Sequence, residues 1–181
     1  LTENQIEQFI TYYEMLVEKN KVMNLTGITE PKEVVLKHFI DSLTPLKYIN
    51  ENNSVIDIGT GAGFPGLPLK IADNSLEINL LDSLNKRINF LNEVIERTGL
   101  NNIKTIHGRA EDYGRDVIYR EKYDIAISRA VAPLNILLEY MLPFVKIGGK
   151  CICMKGSNCD DEIENAKNAI NLLGGEIEKI D

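Results

Sequence analysis

The 181-residue sequence predicts an α/β fold: a doubly wound, mostly parallel, Rossmann-like sheet with an N-terminal helical element. Three observations predict it. From Ser54 onward, short apolar runs alternate with helix-period segments, the pattern of βαβ units. The first run, "SVIDI", leads straight into a glycine-rich turn, "GTGAGFPG". Before Ser54 the periodicity is helical throughout. The chain therefore divides into residues 1–50, a helical element packed on the core, and residues 51–181, the sheet domain. At 44% hydrophobic residues it is long enough to bury a substantial core.

The elements follow in order. Residues 2–20 read as an amphipathic helix with Ile6, Phe9, Ile10, Tyr13, Leu16 and Val17 on its apolar face, and Thr2 with Gln5 as a capping box. A second helix starts at Pro31, carries Val34, Val35, Phe39, Ile40 and Leu43, and ends or kinks at Pro45. Strands are expected at "SVIDI", "LEINLLD", "IKTIHG", "YDIAIS" and "KCICMK". Helices are expected at "GLPLKIAD", "NKRINFLNEVIERTG", "PLNILLEYMLPFV" and "DDEIENAKNAINLLGG", with a short charged helix or loop after the third strand. The last run, "EIEKI", reads as the start of a sixth strand.

The net charge of −7 argues against loose, sequence-blind nucleic-acid binding, which runs on phosphate neutralisation. Two local basic groups remain: Lys19, Lys21, Lys32, Lys37 and His38, and then Arg109, Arg115, Arg120 and Lys122. Each has ordinary solvated surface as its competing reading. No apolar run reaches the ~20 residues of a membrane helix, and no secretory leader is legible. The three cysteines, Cys151, Cys153 and Cys159, lack zinc-site spacing and read as reduced thiols of a cytoplasmic protein. Two histidines far apart in sequence argue against a metal.

The glycine turn does not fit the dinucleotide fingerprint G-x-G-x-x-G, because Phe64 stands where the third glycine belongs. The pattern present is D-x-G-x-G-x-G, over Asp57, Gly59, Gly61 and Gly63. The glycines let backbone approach a ligand without a Cβ in the way. An acid just before them is a poor pyrophosphate cradle and suits a ligand with a cationic end, such as the amino acid part of S-adenosyl-L-methionine (SAM). Asp82 ends the second strand, where a carboxylate can accept from ribose hydroxyls; its competing role is to cap the helix beginning near Leu84. Ala110 and Glu111 fall at the carboxyl edge of the third strand, where an adenine could be held.

The sequence resembles the RsmG family, also called glucose-inhibited division protein B. The resemblance rests on "NLTGI" (Asn24–Ile28), "KHFIDSL" (Lys37–Leu43), "DIGTGAGFPGLPL" (Asp57–Leu69) and "LLDSLNKRINFL" (Leu80–Leu91). It continues through "RAED" (Arg109–Asp112), "ISRAVAPL" (Ile127–Leu134) and "MKG" (Met154–Gly156). It implies a bacterial SAM-dependent methyltransferase acting on N7 of a guanine in small-subunit (16S) ribosomal RNA, alone or in a small subunit under assembly, with no metal, no membrane and a monomeric state. It implies a SAM site lined by Gly59, Gly61, Phe64, Asp82, Ala110, Glu111 and Arg129, and further strands beyond those seen here.

Guanine N7 carries a free lone pair, so no general base is required, and none is assigned; the fourth strand ends in "ISRA" rather than an N-P-P-Y-type motif. Arg129 follows that strand and can hold SAM, RNA phosphate or the target base, or pair with Asp57 or Asp82. His38, Asp41 and Ser42 share one helix face by spacing. With "NLTGI" nearby, Asn24, His38, Asp41 and Arg129 are expected to touch substrate. Competing readings are a small-molecule SAM methyltransferase, favoured by the acidic balance, a non-catalytic SAM-binding ribosome-assembly factor, and a dinucleotide oxidoreductase, which lacks its third glycine.

Overall fold

The computed structural model describes residues 1–156 and 159–181. Five parallel strands form one sheet in the order β3-β2-β1-β4-β5. They are β1 (Ser54–Ile58), β2 (Glu77–Asp82), β3 (Ile103–His107), β4 (Tyr123–Arg129) and β5 (Val145–Met154). The chain winds outward from β1 through β2 to β3, then returns to β4 beside β1. The order reverses between β1 and β4, so the crevice outside their carboxyl ends is the natural ligand position of such a sheet. β1 is buried along four of its five residues, as a central parallel strand covered on both faces must be.

Helices α4 (Gly66–Ala72), α5 (Asn85–Thr98), α7 (Leu134–Met141) and α8 (Asp160–Leu172) cover the sheet, with the single turn α6 (Ala110–Tyr113) after β3. The N-terminal element comprises α1 (Glu3–Met23), the turn α2 (Pro31–Val34), a π-helical stretch over Val35–Ile40, α3 (Asp41–Leu43) and a 3-10 stretch over Thr44–Tyr48. Thr2 and Gln5 form the expected capping box. Phe9, Tyr12, Leu16, Val34 and Phe39 of this element belong to the same buried cluster as Val55, Leu67, Leu80 and Phe90. The Gln5 side chain donates to the Ile71 and Ala72 carbonyls at the end of α4, tying α1 to the core.

Three expectations are corrected. The buried face of α1 is Phe9, Tyr12 and Leu16, whereas Ile6 and Ile10 are about half exposed. Tyr12 displaces them because its ring and its hydroxyl both find partners in the core. Pro45 does not end the second helical segment; it falls in the first positions of the 3-10 stretch, where its missing N–H costs nothing. Glu176–Ile180 forms no sixth strand. The segment makes side-chain contacts, Glu178 with Lys150 and Lys179 with the Tyr48 hydroxyl, and no ladder with a neighbour.

Candidate functional site

The turn after β1 is held by backbone hydrogen bonds and by its glycines. Gly59 and Thr60 donate their amides to the Leu81 carbonyl, at 2.9 and 3.1 Å. Gly59, Gly61 and Gly63 all have positive φ, at 68°, 63° and 105°. Two of the three are also crowded. A Cβ on Gly59 would meet Val131 Cγ2 at 2.6 Å, and one on Gly63 would meet the Tyr12 hydroxyl at 2.8 Å. Gly61 differs: a Cβ there would meet nothing nearer than the Gly59 oxygen at 3.9 Å. Its bare backbone faces open space at the crevice, which is where a ligand can approach.

Asp57 is fully buried at the root of this turn. Its Oδ2 accepts from Thr60 Oγ1 (2.6 Å) and from the Gly66 amide (2.8 Å). Its Oδ1 is buried with no hydrogen-bond partner. Burial raises its pKa to about 6, against the lowering effects of the Thr60 and Gly66 hydrogen bonds and of Arg129. An orphaned buried acceptor and an open glycine cradle fit a ligand that carries an ammonium group, as SAM does.

Asp82 lies at the carboxyl end of β2, as expected, but its oxygens are already engaged. Oδ1 accepts from the Leu84 amide (2.9 Å), which closes a turn just before α5 and does not cap the helix, whose N-cap is Leu84 itself; Oδ2 accepts from the Gly61 amide (2.9 Å) and from Arg87 (3.3 Å). At 3% exposure it orients the glycine turn and the chain leading into α5. Ala110 and Glu111 open α6 at the carboxyl end of β3, Ala110 half-buried and Glu111 exposed. The carboxyl ends of β1, β2, β3 and β4 thus bring Gly59, Gly61, Asp82, Ala110, Glu111 and Arg129 to one edge of the sheet.

Arg129 ends β4 beside that turn and reaches the N-terminal element. Its Nη1 donates to Asp41 Oδ2 (2.8 Å) and to the Lys37 carbonyl (3.2 Å), its Nη2 lies 3.2 Å from His38 Nδ1, and its guanidinium rests over the Phe64 ring at 5.0 Å. His38 stacks on Phe64 at 4.5 Å. Arg129 pairs with neither Asp57 nor Asp82. His38 and Asp41 converge as their spacing predicts. Ser42 does not join them; it is fully buried, with its hydroxyl unpartnered. Asn24 also stands apart, as the exposed left-handed cap of α1. From its stretch, Thr26 enters the cluster instead, 2.7 Å from His38 Nε2.

Sequence reasoning missed Tyr12. Fully buried, it donates its hydroxyl to the Ala62 carbonyl at 2.6 Å, so α1 bolts down the glycine turn. The Phe9–Tyr12–Leu16 spacing was the available signal. The loop after β4 is secured likewise: Lys155, from the "MKG" stretch, donates to the Ala132 carbonyl at 2.5 Å and pairs with Glu162 at 2.7 Å.

Cys151 and Cys153 lie on β5, and burial pushes their thiols up to about 12 and 11, so both remain protonated at neutral pH. Among the described residues, no group of three or more His, Cys, Asp or Glu could hold a metal ion. Among the described residues, no helix is long and apolar enough to cross a membrane. Three lysines of the first basic group are spent locally, Lys19 on Glu93, Lys21 on Glu18 and Lys37 on Glu33.

A parallel sheet with a D-x-G-x-G-x-G turn at its switch point is the architecture of the SAM-dependent methyltransferases. Solved structures agree on the fold. A SAM-dependent methyltransferase from Aquifex aeolicus superposes with a TM-score of 0.62 at 15% identity, covering 86% of this chain and 89% of that one. TYW2 from M. jannaschii, solved in complex with AdoMet, gives 0.63 at 20% identity, covering 82% and 66%. Sequence relatives narrow the class. Residues 5–181 match the family model GidB, described as rRNA small subunit methyltransferase G, and the chain belongs to that family. Proteins named ribosomal RNA small subunit methyltransferase G are similar over nearly its whole length. The one from Alkaliphilus metalliredigens is 52% identical over 179 residues, 98% of this chain and 75% of that protein. The one from Thermoanaerobacter sp. (strain X514) is 56% identical over 177 residues, 97% and 74%.

Proposed function

We propose that this chain transfers a methyl group from SAM to N7 of a guanine in small-subunit (16S) ribosomal RNA. The observation that carries the reading is the family match over residues 5–181, joined to a glycine turn and an arginine that meet at the sheet's switch point. Residues 1–50 are a helical element packed on a SAM-binding domain of residues 51–181.

When bound, SAM supplies a methyl group on a sulfonium, which the N7 lone pair can take without losing a proton. The chain's residues therefore need only bind, orient and exclude water. Gly61 offers bare backbone to the ligand, Gly59 shapes the turn that presents it, and Asp57 Oδ1 is the acceptor for its ammonium. Asp82 holds Gly61 in place and keeps lone-pair capacity for a ribose hydroxyl. Ala110 and Glu111 border the base. Arg129 and Phe64 close the other side. Positioning of two reactants in line is worth ~7–11 kcal/mol where orientation is good. A carboxylate near the acceptor, such as Asp41, favours the positive charge that develops on the guanine ring. The substrate is 16S rRNA or a small subunit under assembly, the protein acts as a monomer in the cytoplasm, and the base is read unpaired or flipped.

The test uses SAM labelled in its methyl group. The protein is incubated with naked 16S rRNA, with small subunits lacking the modification, and without RNA. The expected result is label in 7-methylguanosine after digestion, in an RNA-containing arm only. Turnover without RNA would favour a small-molecule substrate. SAM binding without transfer in any arm would favour a non-catalytic assembly factor.

A further inference from the structure

Arg129 is held by acceptors that come from a single irregular turn. In the π-helical stretch the Asp41 amide donates to the Leu36 and His38 carbonyls and skips that of Lys37. The Lys37 carbonyl accepts from Arg129 instead, so the irregularity frees an acceptor for the guanidinium. On the next residue, His38 presents Nδ1 to Arg129. A guanidinium only donates, so Nδ1 must be the acceptor and the ring proton lies on Nε2. Nε2–H then donates to Thr26 Oγ1, which also accepts from the Ile28 amide. The chain of bonds runs from the loop after α1, through one tautomer of one histidine, to an arginine at the cofactor edge.

We infer that His38 is a positioning residue for Arg129: neutral and protonated on Nε2, it fixes the guanidinium against Phe64, so the N-terminal element sets the affinity of the site for SAM. This rests on the reading of the site as a SAM site. On this inference His38 supports Arg129 in place of the substrate contact expected of it from its nearness to "NLTGI". The charged groups that face its ring are Arg129 from β4 and Asp41 from its own helix, with Thr26 and Phe64 as uncharged neighbours. Burial, then Arg129, lowers its pKa from the ordinary 6.5, which keeps the ring neutral at pH 7. Protonation at lower pH would put a second N–H on Nδ1, facing the guanidinium.

The test is SAM affinity by calorimetry at pH 7.5, without RNA, for the wild type, four single variants and one double variant. His38→Phe keeps the stacking on Phe64 and loses the acceptor; an expected weakening of about tenfold reflects one hydrogen bond to a charged group. His38→Asn places a carbonyl oxygen near the Nδ1 position and should stay within about threefold of wild type by the same reasoning. Arg129→Met should weaken binding, and adding His38→Phe to it should cost nothing further, because the two act as a unit. Thr26→Val, which leaves the ring and its packing in place, should weaken binding in the same direction and keeps the test open if His38→Phe is poorly folded. Between pH 7.5 and 5, the wild type should lose more affinity than His38→Asn, since Asp57 titrates in both and His38 in one. Equal loss in Phe and Asn variants, additive loss with Arg129→Met, or unchanged SAM affinity with a raised KM for RNA would each overturn the inference. Wild-type protein that binds no SAM would overturn the methyltransferase reading and this inference with it; wild-type binding with an unaffected His38→Phe overturns the inference alone.

Discussion

At Asp57 the fold places a carboxylate where water cannot reach it and leaves one oxygen without a donor. Burial raises its pKa from 3.8 to about 6, so the folded chain binds the proton more tightly than the unfolded chain. The resulting stability is fully present below about pH 3.8 and is lost as pH rises through about 6. Above that, the ionised group weakens the fold by about 3 kcal/mol, taking ~1.4 kcal/mol per pKa unit. Asp57→Asn keeps an oxygen for Thr60 and Gly66 and removes the charge. Its amide nitrogen is left without an acceptor, so the expected net gain at pH 8 is about 1–2 kcal/mol, or about 2–8 °C in melting temperature. The gain should shrink at pH 5, and SAM affinity should fall at pH 8, where the ammonium loses its counter-charge, and by less at pH 5, where the wild-type carboxyl is itself largely protonated. Melts and SAM titrations at the two pH values decide it; an equal stability gain at pH 5 would rule out buried charge as the cause. Such an exchange of stability for a charged site is what the role proposed for Asp57 implies. The acid itself was legible in the sequence from its place before the glycines. Its orphaned oxygen was not, because that depends on packing from α4 and Thr60 around it.

Among the elements, α1 does more than cover the sheet. The Tyr12 hydroxyl bonds the Ala62 carbonyl between two glycines of the turn, while its ring packs against Phe39 and Phe64 at 5.4 and 5.5 Å. Tyr12→Phe retains the ring and orphans the Ala62 carbonyl. The expected cost is about 1–2 kcal/mol of stability, with SAM affinity lowered several-fold and faster amide exchange at Gly61 and Gly63. Exchange unchanged at those amides would separate Tyr12 from the turn. The elements themselves were largely legible: all five strands and the four long helices of the sheet domain fall where apolar periodicity puts them. What periodicity could not give was the side of α1 that faces inward, since Ile6 and Ile10 fit the stripe as well as Tyr12 does. The choice was made by a carbonyl 50 residues away. Nor could it give the π-helical stretch, whose extra residue per turn leaves no mark in composition. That stretch is why Val35 and Ile40 lie exposed while Phe39 is buried and His38 and Asp41 meet Arg129. The expected strand at Glu176–Ile180 has the right residues, but a strand exists only against a partner edge.

At the scale of the whole molecule the question is how a chain of net charge −7 would hold RNA. Twelve of its 20 Lys and Arg side chains are already in ion pairs with carboxylates of the same chain. Lys70 is buried on the Asn74 and Leu76 carbonyls and is not on offer either. The side chains left over are scattered. Lys86, Arg109 and Arg115 lie toward the carboxyl edge, interleaved with Glu111, Asp112 and Asp116, while Lys104 and Lys122 lie elsewhere. Among the described residues the unpaired cations, Lys32 and Arg97 included, lie apart along the sequence and form no continuous run that could neutralise many phosphates. Under the proposed function, recognition by residues 1–181 rests on shape and on the target base, with a few phosphate contacts that set register. If two to four phosphates are contacted, the observed binding constant should fall with salt with a log–log slope of about −1.5 to −3.5, against about −7 to −9 for ten contacts. Binding of 16S rRNA and of small subunits, titrated from 50 to 200 mM salt, measures this slope directly. A shallow slope with tighter binding to the subunit would mean that the protein reads an assembled surface, as its charge requires. A slope near −7 on naked RNA would mean that the internal ion pairs open to release their cations, and the acidic balance would then carry no information about the partner.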